Sequence, residues 1–195
     1  MATDTRDGPA ARPAPAVVAL DGYELVALEP ADAPQVLELV GLRGNRYLID
    51  LGASEHEVAR LIAELTQAPW SLPLAVLHGD LCVGMATTSL ANLKSLNASL
   101  LALFTDPPAS ASALALYVRH VFWNFPLHRL HVQIPVLDLT REYVDLYRSV
   151  GFVEEGRLVD HAVVAGQSFD VTALGLLRSD FEAWCLVNEP RLAFG

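Results

Sequence analysis

The sequence predicts an α/β protein of the α+β kind, built on one mixed and mostly antiparallel sheet. Some predicted strands are linked by helices, whereas "LPLAVLHGDLCVGMATTSL" and "NASLLALF" read as three successive strands without a helix between them. A further hairpin ends the predicted pattern. The order β-α-α-β-β-β-α-β-α-β-β, with seven strands and four helices, excludes a doubly wound Rossmann fold and a helical bundle.

The N-terminal segment, residues 1–20, is predicted to be a disordered leader. "MATDTRDGPAARPAPAVVAL" is rich in Ala and Pro, and Pro9, Pro13 and Pro15 would break a helix. The segment lacks the basic start and apolar stretch of a secretion signal, so we expect a cytoplasmic protein. Residues 21–195 are expected to form a single domain.

The first elements after the leader are a strand and two helices. "YELVALEP" alternates as a strand does and leads into "ADAPQVLELV", where Asp32 can cap a helix that carries Pro34 in its first turn. Ser54 and Glu57 have the spacing of a capping box for the next helix. The apolar face of that helix consists of Val58, Leu61, Ile62 and Leu65. The meander that follows is predicted to turn at His78-Gly79-Asp80.

Two helices and two strand regions are predicted after the meander. "TDPPASASALALYVRHVF" begins a helix, and "HRLHVQIPV" alternates as a strand does. In "TREYVDLYRSVGF", Thr140 can cap a helix and Gly151 can end it in a left-handed conformation. The predicted buried face of this helix consists of Tyr143, Leu146, Tyr147 and Val150. The last hairpin is predicted to turn at residues 165–168.

Composition and charge disfavour two classes of partner. The 195 residues are 52% hydrophobic and carry a formal net charge of −10, which disfavours binding to nucleic acid and to anionic membranes. No apolar run is long enough to cross a bilayer. Two cysteines, Cys82 and Cys185, do not make a disulfide framework, and we interpret both as core thiols.

Common catalytic motifs are missing from the sequence. It contains no G-x-S-x-G elbow, Walker-type loop or G-x-G-x-x-G fingerprint. His128 and His131 lie three apart on a predicted strand and would point to opposite faces, so we expect structural histidines and no metal site. Glu154 and Glu155 diverge in the same way and are expected to be solvated.

Nearly the whole chain after the leader resembles the GNAT superfamily of acyl-CoA-dependent N-acyltransferases, above all from "PLHRLHVQIPVLDLTREYVDLYRSVGF" through "VEEGRLVDHAVVAGQSFDVTALGLLRSDFEAW". It is most similar to the branch that acetylates ribosomal-protein N-termini. The motifs that carry the resemblance are Leu127-His128-Arg129, Tyr147 with Gly151-Phe152, Glu155-Gly156 and Asp170. The resemblance implies a sheet that splays open between the parallel strands of Leu100 to Phe104 and Leu130 to Ile134.

The resemblance also implies where an acyl donor binds. The pantetheine arm would add to the splay against the backbone of Leu103, Phe104 and Thr105. Tyr147 would protonate the departing thiolate, although core packing is an equal alternative for a tyrosine on an apolar face. Thr140 and Tyr143 occupy further contact positions. Acetyl-CoA or another acyl-CoA is therefore the expected co-substrate.

The pyrophosphate loop departs from the family pattern. Family members carry a basic residue and a glycine-rich turn, whereas this chain has "DPPASASAL", with acidic Asp106 and two prolines that lack amide donors. The remaining donors are the amides and hydroxyls of Ala109, Ser110, Ala111 and Ser112. The loop is degenerate, so we expect weak binding of CoA.

Three functions stay open. The first is transfer of an acetyl or other short acyl group from acyl-CoA to a primary amine on a small molecule or peptide. The second is a catalytically inactive GNAT-fold binding protein, and the third is acyl transfer from a carrier protein or an aminoacyl-tRNA. Arg43 and Arg46 could pair a substrate carboxylate or phosphate, or could be solvated. "NASLLALF" has no general base, for which a bound water could substitute, and a homodimer is left open.

Overall fold

A computed structural model of the chain describes residues 18–42, 44–49, 54–68, 71–92, 94–164 and 166–192. Within these residues there are eight strands and five α-helices. The strands are β1 (Val18–Leu20), β2 (Tyr23–Ala27), β3 (Leu74–His78), β4 (Leu81–Asn92), β5 (Asn97–Phe104), β6 (Arg129–Pro135), β7 (Val153–Val164) and β8 (Gln167–Leu177). The helices are α1 (Ala33–Gly41), α2 (Glu55–Gln67), α3 (Ala111–Asn124), α4 (Arg141–Ser149) and α5 (Arg178–Asn188).

All eight described strands belong to one sheet, in the order β1-β2-β3-β4-β5-β6-β8-β7. Of the neighbouring pairs in this part of the chain, β5 and β6 are parallel and the others are antiparallel. The predicted mixed, mostly antiparallel α/β fold is therefore confirmed. The helix α3 makes the connection between the two parallel strands, as a parallel crossover requires.

Two elements were not predicted. Strand β1 lies within the segment assigned to the leader, where Val18 pairs with Leu25 and Leu20 with Tyr23 of β2, so the leader cannot extend to residue 20. Residues 1–17 lie outside the described residues. Helix α5 follows β8 directly and buries Phe181 and Cys185. These additions change the count from seven strands and four helices to eight and five among the described residues.

Helices cover both faces of the sheet. Helices α3, α4 and α5 pack on one face, against a core that includes Leu100 and Ala102 of β5 and Val132 and Ile134 of β6. Helices α1 and α2 pack on the other face, against residues that include Leu103. Successive residues of a strand point to opposite faces, so even-numbered residues of β5 and β6 face α4 and odd-numbered ones face the side of α1 and α2.

The local sequence explains several element boundaries. Ser54 caps α2 as predicted, because its Oγ accepts the Glu57 amide at 3.3 Å, and the Ser54 hydroxyl also donates to the Glu57 carboxylate at 2.9 Å. The strand turn between β3 and β4 contains Gly79 at φ 61°, and α4 ends before Gly151 at φ 96°. Thr140 immediately precedes α4, as predicted for a cap, but its hydroxyl donates to the Pro135 carbonyl at 2.5 Å and does not cap the helix.

Candidate active site

The centre of the sheet opens where β5 and β6 separate. Their parallel pairing has the register Asn97↔Arg129, Ala98↔Leu130 and Ser99↔His131. Beyond Ser99, β5 continues to Phe104 and β6 to Pro135 without further pairs between them in the described structure. The splay that the family resemblance implied is therefore present, and it begins at Ser99 and His131.

A cavity of about 240 Å³ lies in this splay. Both strands, α4 and the turn before α2 contribute to its wall. The lining residues are Leu48, Ser99, Leu100, Leu101, Ala102, His131, Val132, Gln133, Ile134 and Tyr147. Both even- and odd-numbered residues of β5 and β6 line the cavity, so side chains from both faces of the sheet contribute to its wall.

Tyr147 projects from α4 into the cavity, as its predicted role requires. The residue is 1% exposed, and its ring packs edge-on against Phe152 with centroids 5.0 Å apart. Burial raises the pKa of Tyr147, the nearby Tyr143 raises it further, and a hydrogen bond with the Ala102 backbone acts in the opposite direction. Tyr147 is therefore protonated at neutral pH and can donate a proton inside the splay.

Tyr143 and Asn45 occupy the wider end of the splay. The Tyr143 hydroxyl accepts the Phe104 amide at 2.7 Å and donates to Asn45 Oδ1 at 2.5 Å. Asn45 Nδ2 donates to the carbonyls of Leu39 at 2.8 Å and Phe104 at 3.1 Å. The Asn45–Tyr143 pair thus satisfies both backbone groups of Phe104, as a residue of an added strand would.

The other predicted backbone contacts face away from the splay. The Thr105 amide donates to the Val83 carbonyl of the neighbouring segment at 2.9 Å, and Leu103 pairs with Met85 of β4. Of the three predicted positions, Phe104 is the one whose backbone faces the splay, and its amide and carbonyl are already bonded within the chain.

The start of α3, where a phosphate cradle would lie, is partly closed by local hydrogen bonds. The Asp106 side chain accepts the Ala109 amide at 3.4 Å, and the Ser110 amide donates to the Pro107 carbonyl at 3.1 Å. The Ser110 hydroxyl is buried and donates to the Asp106 carbonyl at 2.7 Å. Ala111 and Ser112 form the first turn of α3 and retain amides directed out of the helix end.

Arg46 lies beside the cavity rather than inside it. It is exposed, and its guanidinium donates to the Tyr47 hydroxyl at 2.8 Å and lies over the Tyr47 ring. It belongs to the same short turn as Asn45 and precedes Leu48, which lines the cavity. The second predicted substrate residue, Arg43, lies outside the described residues.

Sequence reasoning interpreted His131 as structural, but the structure places it in the cavity wall. His131 is half-buried, and this burial lowers its pKa; the positive charge of Arg129 lowers it further, while Glu155 opposes the shift. Local spacing could not reveal this position, because it depends on where β5 and β6 separate. His128 is exposed and lies before β6, so the two histidines do not converge.

Other chemistries find no support in the part of the chain that is described. No three His, Cys, Asp or Glu side chains there come together in a way that could hold a metal ion. Cys82 and Cys185 are free thiols, and burial raises the pKa of both, to about 11 for Cys185. Among the described helices none is long and apolar enough to span a membrane.

Comparison with solved structures identifies the architecture. A point mutant of the spermidine N-acetyltransferase SpeG from Vibrio cholerae matches with a TM-score of 0.72 at 20% identity, over 88% of this chain and 99% of that chain. A crystal structure provisionally named as an acetyltransferase matches with a TM-score of 0.69 at 19% identity, over 91% and 94% of the two chains. The chain has the acetyltransferase fold.

The likeness extends to a chimera of SpeG from Vibrio cholerae and hSSAT, with a TM-score of 0.71 at 20% identity over 82% of this chain and 98% of that one. No family model matches the sequence, and no curated protein matches it. The GNAT fold expected from the motifs is confirmed, whereas a particular branch of acetyltransferases is not distinguished.

Proposed function

We propose that the protein is an acyl-CoA-dependent N-acyltransferase that transfers an acetyl or other short acyl group to a primary amine. The observation that carries the proposal is the cavity between β5 and β6, with the protonated Tyr147 hydroxyl beside the Ala102 backbone. A thioester arm lying in the splay would run along β5 and bring its sulfur towards α4. The GNAT-like fold supports the same reaction.

In this reaction Tyr147 acts as the acid. The amine nitrogen bonds to the acyl carbon and loses one proton to a base, the bond from that carbon to sulfur breaks, and Tyr147 Oη gives its proton to the leaving thiolate. Burial raises the pKa of Tyr147, so the hydroxyl still carries its proton at neutral pH when the thiolate begins to depart. The cavity wall includes the aliphatic side chains of Leu100, Val132 and Ile134, which would shield a bound thioester from water on that side.

The donor site also contains features that oppose binding of CoA. An arm that paired with Phe104 would first have to displace the Asn45–Tyr143 pair, which costs three buried hydrogen bonds to Asn45 and the Phe104 backbone. Before α3, Pro107 and Pro108 have no backbone N–H to donate, and the Ala109 amide already donates to Asp106. We therefore expect CoA to bind more weakly than it would to a glycine-rich loop.

The same features favour a second candidate, a GNAT-fold protein that binds a ligand without transferring an acyl group. The Asn45–Tyr143 pair closes the wider end of the splay and leaves the cavity around Ala102 and His131 available to a small molecule. A donor without the CoA nucleotide, such as an acylated carrier protein, would also avoid the weak phosphate cradle at α3.

The acceptor is proposed to be a small cationic amine or a peptide with a free N-terminus. The net charge of −10 attracts cationic amines, and several of the structural neighbours are spermidine acetyltransferases. The motif resemblance to the ribosomal-protein branch favours a peptide N-terminus instead. Arg46 is proposed to contact an acidic group of the acceptor at the edge of the cavity.

Two measurements test this proposal. Acyl transfer from acetyl-CoA would be assayed with polyamines, amino sugars, lysine and peptides that carry a free N-terminus, and activity with any of them is the expected result. Calorimetry would compare acetyl-CoA with an acetylated pantetheine that lacks the nucleotide. Binding of either donor without transfer to any amine would favour the binding protein, and much tighter binding of acetyl-CoA than of the truncated donor would contradict our account of α3.

A further inference from the structure

His131 is the last residue of β6 that pairs with β5 before the two strands separate. His131 pairs with Ser99 of β5, and its side chain forms part of the cavity wall. Its neighbours Leu130 and Val132 belong to the core on the face of α3 and α4. Since side chains alternate along a strand, His131 projects to the opposite face from α4. His131 and Tyr147 therefore contact one cavity from opposite faces of the sheet.

From this arrangement we propose that His131 is the general base that takes the proton from the attacking amine. The proposal rests on the proposed acyl transfer and deepens it. An acyl carbon in the cavity would have Tyr147 on the face of α4 and His131 on the opposite face, from which the acceptor amine would then approach. Acid and base would then act on different atoms of the reacting centre without exchanging a proton with each other.

The charges around His131 keep the imidazole ready to accept a proton. Burial and the Arg129 charge on the same strand lower its pKa below the ordinary 6.5, so the ring is neutral at pH 7. From β7, the Glu155 carboxylate acts in the opposite direction but is engaged by the Arg129 guanidinium. The other titratable group at the cavity wall, Tyr147 on α4, is held neutral by its own burial.

The ion pair of Arg129 and Glu155 depends on a glycine opposite His131. Gly175 of β8 pairs with both His131 and Val153, so it lies between β6 and β7. A Cβ at Gly175 would clash with Glu155 Oε1 and would lie 2.7 Å from Arg129 Nη2. Because Gly175 has no side chain, the Arg129–Glu155 ion pair can pass over β8 beside the His131 imidazole. The Arg129 charge therefore stays paired with a carboxylate.

Other side chains of the cavity cannot perform this step. Among the described residues that line it, His131 and Tyr147 have titratable side chains, and the rest are aliphatic, Ser99 or Gln133. In the balanced step the amine nitrogen forms its bond to the acyl carbon and loses a proton to an imidazole nitrogen of His131. The thiolate receives the Tyr147 proton, and solvent then returns His131 and Tyr147 to their starting protonation states.

The first test compares His131→Gln with His128→Gln. The substitution keeps a polar side chain and removes the titrating ring, while His128 is exposed and does not line the cavity. We expect kcat/KM of His131→Gln to fall about a hundredfold at pH 7 and to lose the acidic limb of the parent's pH profile. His128→Gln should match the parent. A His131→Gln enzyme that keeps both its rate and its acidic limb would overturn the proposal.

A second test does not require turnover. Imidazole resonances of the parent would be titrated by NMR, alone and with a non-transferable thioether analogue of acetyl-CoA. We expect the His131 ring to titrate below pH 6.5 and its resonances to shift when the analogue binds. The His128 resonances should not change on binding of the analogue. His131 resonances that do not change when the analogue binds would overturn the proposal. If the parent transfers acyl groups and His131→Gln is equally active, the role of His131 is refuted and the proposed function stands. If the parent transfers no acyl group, both the proposed function and the role of His131 are refuted.

Discussion

Replacing Tyr143 by Phe tests the hydrogen bonds that close the wider end of the splay. The change keeps the ring, which is 1% exposed, and removes a hydroxyl that joins the Phe104 amide to Asn45 Oδ1. Both of these groups are buried, and neither gains another partner in Tyr143→Phe. The variant therefore has two unsatisfied polar groups that the parent does not have.

The expected cost follows from those two groups. An unsatisfied buried donor or acceptor costs ~1–3 kcal/mol, so we expect the free energy of unfolding to fall by about 3 kcal/mol. For a domain of this size that corresponds to a decrease in Tm of about 6–12 °C. The released Phe104 amide can instead bond an acyl donor, and one net hydrogen bond of about 1 kcal/mol makes acetyl-CoA bind about fivefold tighter.

Thermal melts and calorimetry with acetyl-CoA would measure both effects. The matched control is Tyr47→Phe, because the Tyr47 hydroxyl accepts one solvent-accessible hydrogen bond from Arg46 and should change Tm little. A Tyr143→Phe protein as stable as the control would contradict the account of the buried pair. Weaker binding of acetyl-CoA to Tyr143→Phe would instead mean that the hydroxyl itself contacts the donor.

Three further predictions concern the acid, the core and the C-terminal hairpin. Tyr147→Phe should lower turnover about a hundredfold and should also lower Tm, because the Ala102 amide loses its partner; unchanged turnover would remove Tyr147 as the acid. Arg178→Met should destabilise the protein by about 3–5 kcal/mol in chemical denaturation, since its guanidinium donates to three backbone carbonyls at and beyond the end of α3; a loss under about 1 kcal/mol would refute this. Hydrogen bonds from the Asp160 amide and Arg157 hold the pKa of Asp170 below its usual value, so their stabilisation is present above about pH 4 and is lost as the pH falls further. Melts between pH 6 and 3 should therefore show a smaller acid-induced loss for Asp170→Asn than for the parent, and equal losses would contradict the pairing.

Local signals in the sequence were enough to predict most elements. The Ser54 cap of α2 and the apolar spacing of α4 depend on neighbours within a few residues, and both are present. Strand β1 and helix α5 were missed because their local signals are weak. β1 is a three-residue strand that exists by pairing with β2, and α5 buries Phe181 and Cys185 along an otherwise mixed surface.

The candidate site was predictable only in part. Tyr147 follows from a motif within one helix and its turn, and the structure brings it to the cavity. His131 could not be predicted in the same way, because alternation along a strand gives the face of the sheet but not the residue at which two strands part. Asn45 lies 59 residues from Phe104 and 98 from Tyr143, and no local pattern connects them.

The sequence by itself determined most of the helices and strands, the mixed and mostly antiparallel sheet, and the tyrosine that α4 presents on its inner face. These properties follow from periodicity, caps and turns, which act over one or two turns of chain. Only the tertiary structure decided that the splay begins at Ser99 and His131 and that Asn45 and Tyr143 close its wider end. Strand pairing and buried hydrogen bonds between distant segments set those features, because a backbone group removed from water must find a partner wherever the fold provides one.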